Sequence, residues 1–181
     1  MTAGPRPPVL IPEERILGRV DELAAAVSRD YAGAQGLLLV GVLRGAFIFL
    51  ADLARRITVP HAVDFVAVSH YEAGTVATGK IALHSDVRSP LAGRPVLLVE
   101  DIVDTGHTLR FLLELFHARG PASLRTCVLV RKPGRLQVEA PIDYLGFDIP
   151  DVWAVGYGLD CADRWRTLPY IGIFPGEKSP A

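Results

Sequence analysis

The chain has 181 residues, half of them hydrophobic, with 19 Lys and Arg against 20 Asp and Glu and a net charge of −1. That length suits one domain with a single sizeable core, and the even balance of charge argues against a broad nucleic-acid or membrane-surface patch. The expected partner is a small molecule. Cys127 sits in the apolar run 126–130 and Cys161 follows Asp160, so two unmatched thiols give no disulfide framework and point to a reducing compartment, the cytoplasm.

Residues 1–12 hold four prolines, no basic start and no long apolar stretch. They are expected to be flexible and not a signal peptide. From Glu13, the positions Ile16, Leu17, Val20, Leu23, Ala24 and Val27 recur at helical spacing, predicting an amphipathic helix. Leu37 to Val42 reads as a short buried strand, Gly45 to Arg56 as a helix apolar on most sides, and Val63 to Val68 as a strand rich in β-branched residues. Between them lies Leu43-Arg44-Gly45, whose glycine permits close approach of an oxyanion. Tyr71 to Lys80 has no core-forming periodicity and suits a mobile loop. Strand 96–100, helix 107–119 and strand 124–130 then make a βαβ unit, followed by short strands near Tyr144 to Phe147 and Trp153 to Val155. Alternating strands and helices predict an α/β fold, a mostly parallel central sheet flanked by helices.

In such sheets ligands bind beyond the carboxyl ends of the strands. Four candidate loops lie there: Leu43-Arg44-Gly45, Ser69-His70-Tyr71, Arg131-Lys132-Pro133, and the run Val99-Glu100-Asp101-Ile102-Val103-Asp104-Thr105-Gly106-His107-Thr108-Leu109. The last is the strongest. Thr105, Gly106 and Thr108 open a helix whose unpaired N–H groups and dipole attract phosphate. Asp104 as a mere helix cap would account for one acid, but two more, Glu100 and Asp101, end an apolar strand, where a desolvated charge is costly unless something binds it. An acid pair there suits ribose hydroxyls or Mg²⁺. His107 is either a phosphate contact or a solvated side chain.

The run resembles the signature of the type I phosphoribosyltransferases: an apolar strand, two acids, two apolar residues, then Asp-Thr-Gly-x-Thr. The likeness extends from about Ile11 to Phe174 and is nearest to the hypoxanthine-guanine branch. It implies that fold, with a small hood built from the terminal segments, one domain over 13–176, a lid loop about 70–81 carrying His70 and Tyr71, and a flexible tail at 177–181. It further implies pyrophosphate binding by Leu43, Arg44 (where the branch has Lys), Gly45 and Arg166, with a cis peptide between Leu43 and Arg44. Ribose phosphate would be held by Glu100, Asp101, Asp104, Thr105, Gly106, His107 and Thr108. Purine would be bound by Ile102, Lys132, Trp153 and Ala154, and Mg²⁺ by Asp160 with Glu100 and Asp101.

Lys132, a donor only, suits the O6 acceptor of a 6-oxopurine and opposes the amino group of adenine. Asp104 is the expected acid/base group for the purine N7 proton. The implied reaction transfers phosphoribosyl from 5-phosphoribosyl 1-pyrophosphate (PRPP) to hypoxanthine or guanine, giving IMP or GMP, by a cytoplasmic homo-oligomer, dimer or tetramer, without nucleic-acid or membrane partners. The alternatives are a xanthine-preferring or pyrimidine-regulator-type phosphoribosyltransferase, and a catalytically silent nucleotide-binding module.

Overall fold

Apolar alternation along β2 (Leu37–Leu43) divides the core in two. Leu37 and Leu39 join one cluster with Ile16, Val20 and Val27 of α1 (Glu13–Asp30) and Phe49 and Leu53 of α2 (Phe47–Arg56). Leu38, Val40 and Val42 join the other, with Leu109, Leu112 and Phe116 of α3 (His107–His117). The strand between them is buried on both faces, which is why its sequence is an unbroken apolar run. β5 (Pro95–Val103) divides likewise, Leu97 and Val99 against Val96 and Leu98. The computed structural model describes residues 6–70 and 81–174.

The main sheet has six strands in the order β4-β3-β2-β5-β6-β7, with β3 His61–His70, β4 Ile81–Ser85, β6 Ser123–Arg131 and β7 Tyr144–Asp148. All pairs are parallel except β3 with β4. Strand order reverses between β2 and β5, so their carboxyl ends diverge and leave the crevice where α/β sheets bind ligands. A separate three-stranded sheet, β1-β9-β8, joins Val9–Ile11, Ile171–Ile173 and Ala154–Val155. This is the expected hood.

Several expectations need correction. Val9–Ile11, expected within a flexible start, forms β1 and pairs antiparallel with β9, since its partner lies far along the chain and leaves no local sign. The lid expected at about 70–81 has strands at both of its ends: His70 closes β3 and pairs with Ile81, which opens β4. Tyr71 to Lys80 and the tail 177–181 lie outside the described residues. β4 had no signal because it is a largely exposed antiparallel edge held by backbone pairing. α2 begins at Phe47 instead of Gly45, and α3 ends at His117 instead of 119. Among the described residues no helix is long and apolar enough to cross a membrane.

Candidate active site

β5 runs into a tight turn, and α3 begins at once behind it. Gly106 makes this possible: its φ is +89°, and a Cβ there would stand 2.4 Å from the Val138 carbonyl oxygen. That same segment donates to the turn, from the N–H groups of Gln137 and Val138 to the Thr105 carbonyl at 3.0 and 3.2 Å. α3 carries no side-chain cap, so no side chain closes its N-terminal end to an anion. That end opens on a cavity of about 160 Å³ lined by Glu100, Asp104, Thr105, Gly106 and Thr108. The His107 ring does not line it; its Nε2 lies 3.1 Å from Gln137 Oε1.

Glu100 and Asp101 are both buried. Burial, and then the charge of Asp101, push Glu100 well above the usual carboxylate range. Burial also raises Asp101, against the opposing pull of a hydrogen bond with the Glu100 side chain, of backbone N–H groups and of Arg166. Glu100 Oε2 is buried without a hydrogen-bond partner among the described residues. A charge-averse carboxyl with one orphaned oxygen at a cavity wall fits a ligand that brings hydroxyl donors or a cation. Among the described residues no three His, Cys, Asp or Glu side chains gather to hold a metal unaided.

A second cavity, about 190 Å³, lies between Asp104 and Lys132 on one wall and Trp153, Ala154 and Leu159 on the other. Lys132 is buried at the end of β6, its backbone N–H donating to the Val103 carbonyl at 2.9 Å. Its ammonium lies 3.4 Å from Asp104 Oδ2 and 3.7 Å from Asp151 Oδ1. Arg135 Nε donates to the other Asp104 oxygen at 3.0 Å. Asp104 is therefore no helix cap. The Trp153 indole is part-exposed beside the cavity, its N–H donating to the Asp160 carbonyl at 3.3 Å.

The third cavity, about 350 Å³, is bounded by Leu43, Arg44, Gly45, Ser69, Asp160 and Arg166. The Leu43–Arg44 peptide is cis, as the resemblance implies. Gly45 is wedged: a Cβ on it would stand 1.8 Å from Asp101 Oδ2, and one on Gly158 would stand 1.9 Å from the Gly45 carbonyl oxygen. Across the cavity Arg166 Nη2 pairs with Asp160 Oδ1 at 2.7 Å, while Asp160 Oδ2 accepts the Asp163 N–H at 2.7 Å. Arg44 Nη2 pairs with Asp163 Oδ1 at 2.7 Å.

The three cavities share walls. Glu100 and Thr108 border the first and third, Ile102 and Asp104 the first and second, Asp101 and Asp160 the second and third. One connected site thus gathers every sequence-expected residue except three. His107 points to Gln137, the His70 side chain is not among the described ones, and Tyr71 lies outside the described residues. Sequence reasoning named Ser69 only within a candidate loop and assigned no role to Arg135, Gly158, Leu159 or Asp163. Gly158 had a signal in the Gly-x-Gly spacing around Tyr157; an arginine four residues past a strand end had none.

Residues 12–162 match the family model described as a phosphoribosyl transferase domain. The chain is 46% identical over 172 residues to the hypoxanthine-guanine phosphoribosyltransferase of Dictyostelium discoideum, covering 93% of this chain and 96% of that one. It is 44% identical over 166 residues to the hypoxanthine phosphoribosyltransferase of Salmonella typhimurium, covering 91% and 93%. The crystal structure of a hypoxanthine-guanine phosphoribosyltransferase from Bacillus anthracis, with a HEPES molecule in its active site, superposes with a TM-score of 0.86 at 42% identity over 92% of this chain and 97% of that one. With its parallel sheet, terminal hood and acid-rich turn behind β5, the chain belongs to the phosphoribosyltransferase family.

Proposed function

We propose that the protein transfers the phosphoribosyl group of PRPP to N9 of hypoxanthine or guanine, releasing pyrophosphate and giving IMP or GMP. The observation that carries this is the pairing of Asp104 and Lys132. An acceptor and a donor stand 3.4 Å apart on one wall of the second cavity, which matches the N7–H and O6 edge of a 6-oxopurine. The relatives, named for hypoxanthine and hypoxanthine-guanine, support the same substrate class.

In this reading the first cavity holds the 5′-phosphate against Thr105, Gly106 and Thr108. Glu100 and Asp101 accept from the ribose hydroxyls, and Gly45, Arg44 and Arg166 hold pyrophosphate, with Arg166 replacing an aspartate contact by a phosphate one. Trp153 stacks on the base and Ala154 flanks it. As the C1′–oxygen bond to pyrophosphate breaks and the N9–C1′ bond forms, Asp104 takes the N7 proton. Mg²⁺ would be held by Glu100, Asp101 and Asp160 together with substrate oxygens, and when bound it neutralises the leaving pyrophosphate. The orphaned Glu100 oxygen supports that placement, and carboxylates completed by substrate phosphates match the way Mg²⁺ is commonly bound. The proposal includes a lid at 70–81 and a cytoplasmic homo-oligomer, in keeping with the buried free thiols Cys127 and Cys161.

The test is pyrophosphate release from PRPP and Mg²⁺ with hypoxanthine, guanine, xanthine, adenine and uracil in turn. Turnover confined to the first two supports the proposal. Preference for xanthine or uracil redirects it within the family, and silence with all five makes the chain a binding module. Lys132→Ala is expected to cut the preference for hypoxanthine over adenine, as a ratio of kcat/KM, by about 100-fold, because the variant no longer leaves a buried donor unpaired against adenine. An unchanged ratio would remove Lys132 from base recognition.

A further inference from the structure

Asp104 is held by two cations, and only one of them faces the base. Lys132 Nζ approaches Oδ2 at 3.4 Å from within the second cavity, whereas Arg135 Nε donates to Oδ1 at 3.0 Å from the solvent side. The two cations flank one short feature, Lys132 just before the 3-10 turn Pro133–Arg135 that follows β6 and Arg135 at its end, with the Arg135 N–H donating to the Lys132 carbonyl at 3.0 Å. Asp151 completes the set, 3.7 Å from each cation. Two carboxylates and two cations thus form a four-charge ring at the mouth of the base cavity.

When a 6-oxopurine enters, its O6 draws on the same ammonium that contacts Asp104. The carboxylate then loses part of its partner at the moment it must present Oδ2 to N7. Its side chain is about one-third exposed and borders both the first and the second cavity. Arg135 meets the opposite oxygen and has no role at the base. Its grip is therefore independent of whether base is bound. We propose that Arg135 is the positioning residue of the reaction, keeping Asp104 oriented while Lys132 is engaged by the purine; this rests on the 6-oxopurine reading above. The planar guanidinium suits the task, since Nε and the turn define one approach to Oδ1 where an ammonium would swivel.

The experiment compares unmutated protein, Arg135→Ala and Arg135→Lys in steady-state assays with hypoxanthine. The charged groups facing Asp104 are Lys132 and Arg135, with Asp151 behind them. For Arg135→Ala, kcat is expected to fall about tenfold, a fraction of the full contribution of a general base. The KM for hypoxanthine is expected to stay within about twofold, because the base-side donor is intact. Arg135→Lys is expected to restore only part of kcat. Unchanged kcat, or a rise in KM at constant kcat, overturns the positioning role. Inactivity of the unmutated protein with every 6-oxopurine refutes instead the reading on which it rests.

Discussion

Asp104→Asn is expected to lower kcat with hypoxanthine by about 100-fold while the KM for PRPP changes less than about threefold. The substitution preserves the shape of the side chain and removes the basic oxygen. Oδ2 beside Lys132 becomes either a carbonyl, a poor proton acceptor, or an amide N–H₂ that repels the N7–H and the ammonium alike. In the proposed reading most contacts to PRPP come from the α3 turn, the acid pair and the Gly45 loop, with Asp104 only at the edge of the same cavity, so its affinity changes little. Retention of kcat would remove Asp104 from proton transfer, whereas a matching loss of PRPP affinity would recast it as a ribose ligand.

Gly158→Ala is expected to lower kcat/KM for PRPP by about 100-fold and to destabilise the fold by about 2–4 kcal/mol. Two obstacles act together. The residue sits at φ +102°, where side chains are strained, and its Cβ would meet the Gly45 carbonyl oxygen at 1.9 Å. Gly45 has no room to retreat, since Asp101 stands on its far side. The displacement would therefore pass from the loop bearing Asp160 and Arg166 to Gly45 and on to the buried acids. Thermal unfolding followed beside PRPP kinetics checks both effects; a variant with wild-type melting and wild-type KM would show that this contact is slack.

The layered sheet was legible because β2, β5 and β6 are buried on both faces and so read as unbroken apolar runs, while α1 and α3 show one apolar stripe each. β1, β4 and β9 were not, being three to five residues long and held by pairing with strands distant in sequence or at an exposed edge. In the site, the acids and the Thr-Gly turn were legible because their chemistry is out of place at the end of an apolar strand. Arg135 was illegible for the opposite reason: an arginine in a Pro-Gly turn is an ordinary surface residue until Asp104 is seen 3.0 Å away. His107 shows the limit of position alone, since its ring turns to a glutamine thirty residues on.

Ala154, on the wall of the base cavity, hangs from Ile173 of β9, and β9 in turn pairs with Val9 and Ile11 of β1. Local contacts can assemble the helices and main sheet as the chain emerges, but that wall must wait until residue 173 has been made and has returned to residue 9, the longest loop closure in the fold. The cavity proposed to select the base is therefore the last part of the site to be completed. A nascent or partly unfolded chain should retain the phosphate-binding turn of β5 and α3 well before it can distinguish one purine from another.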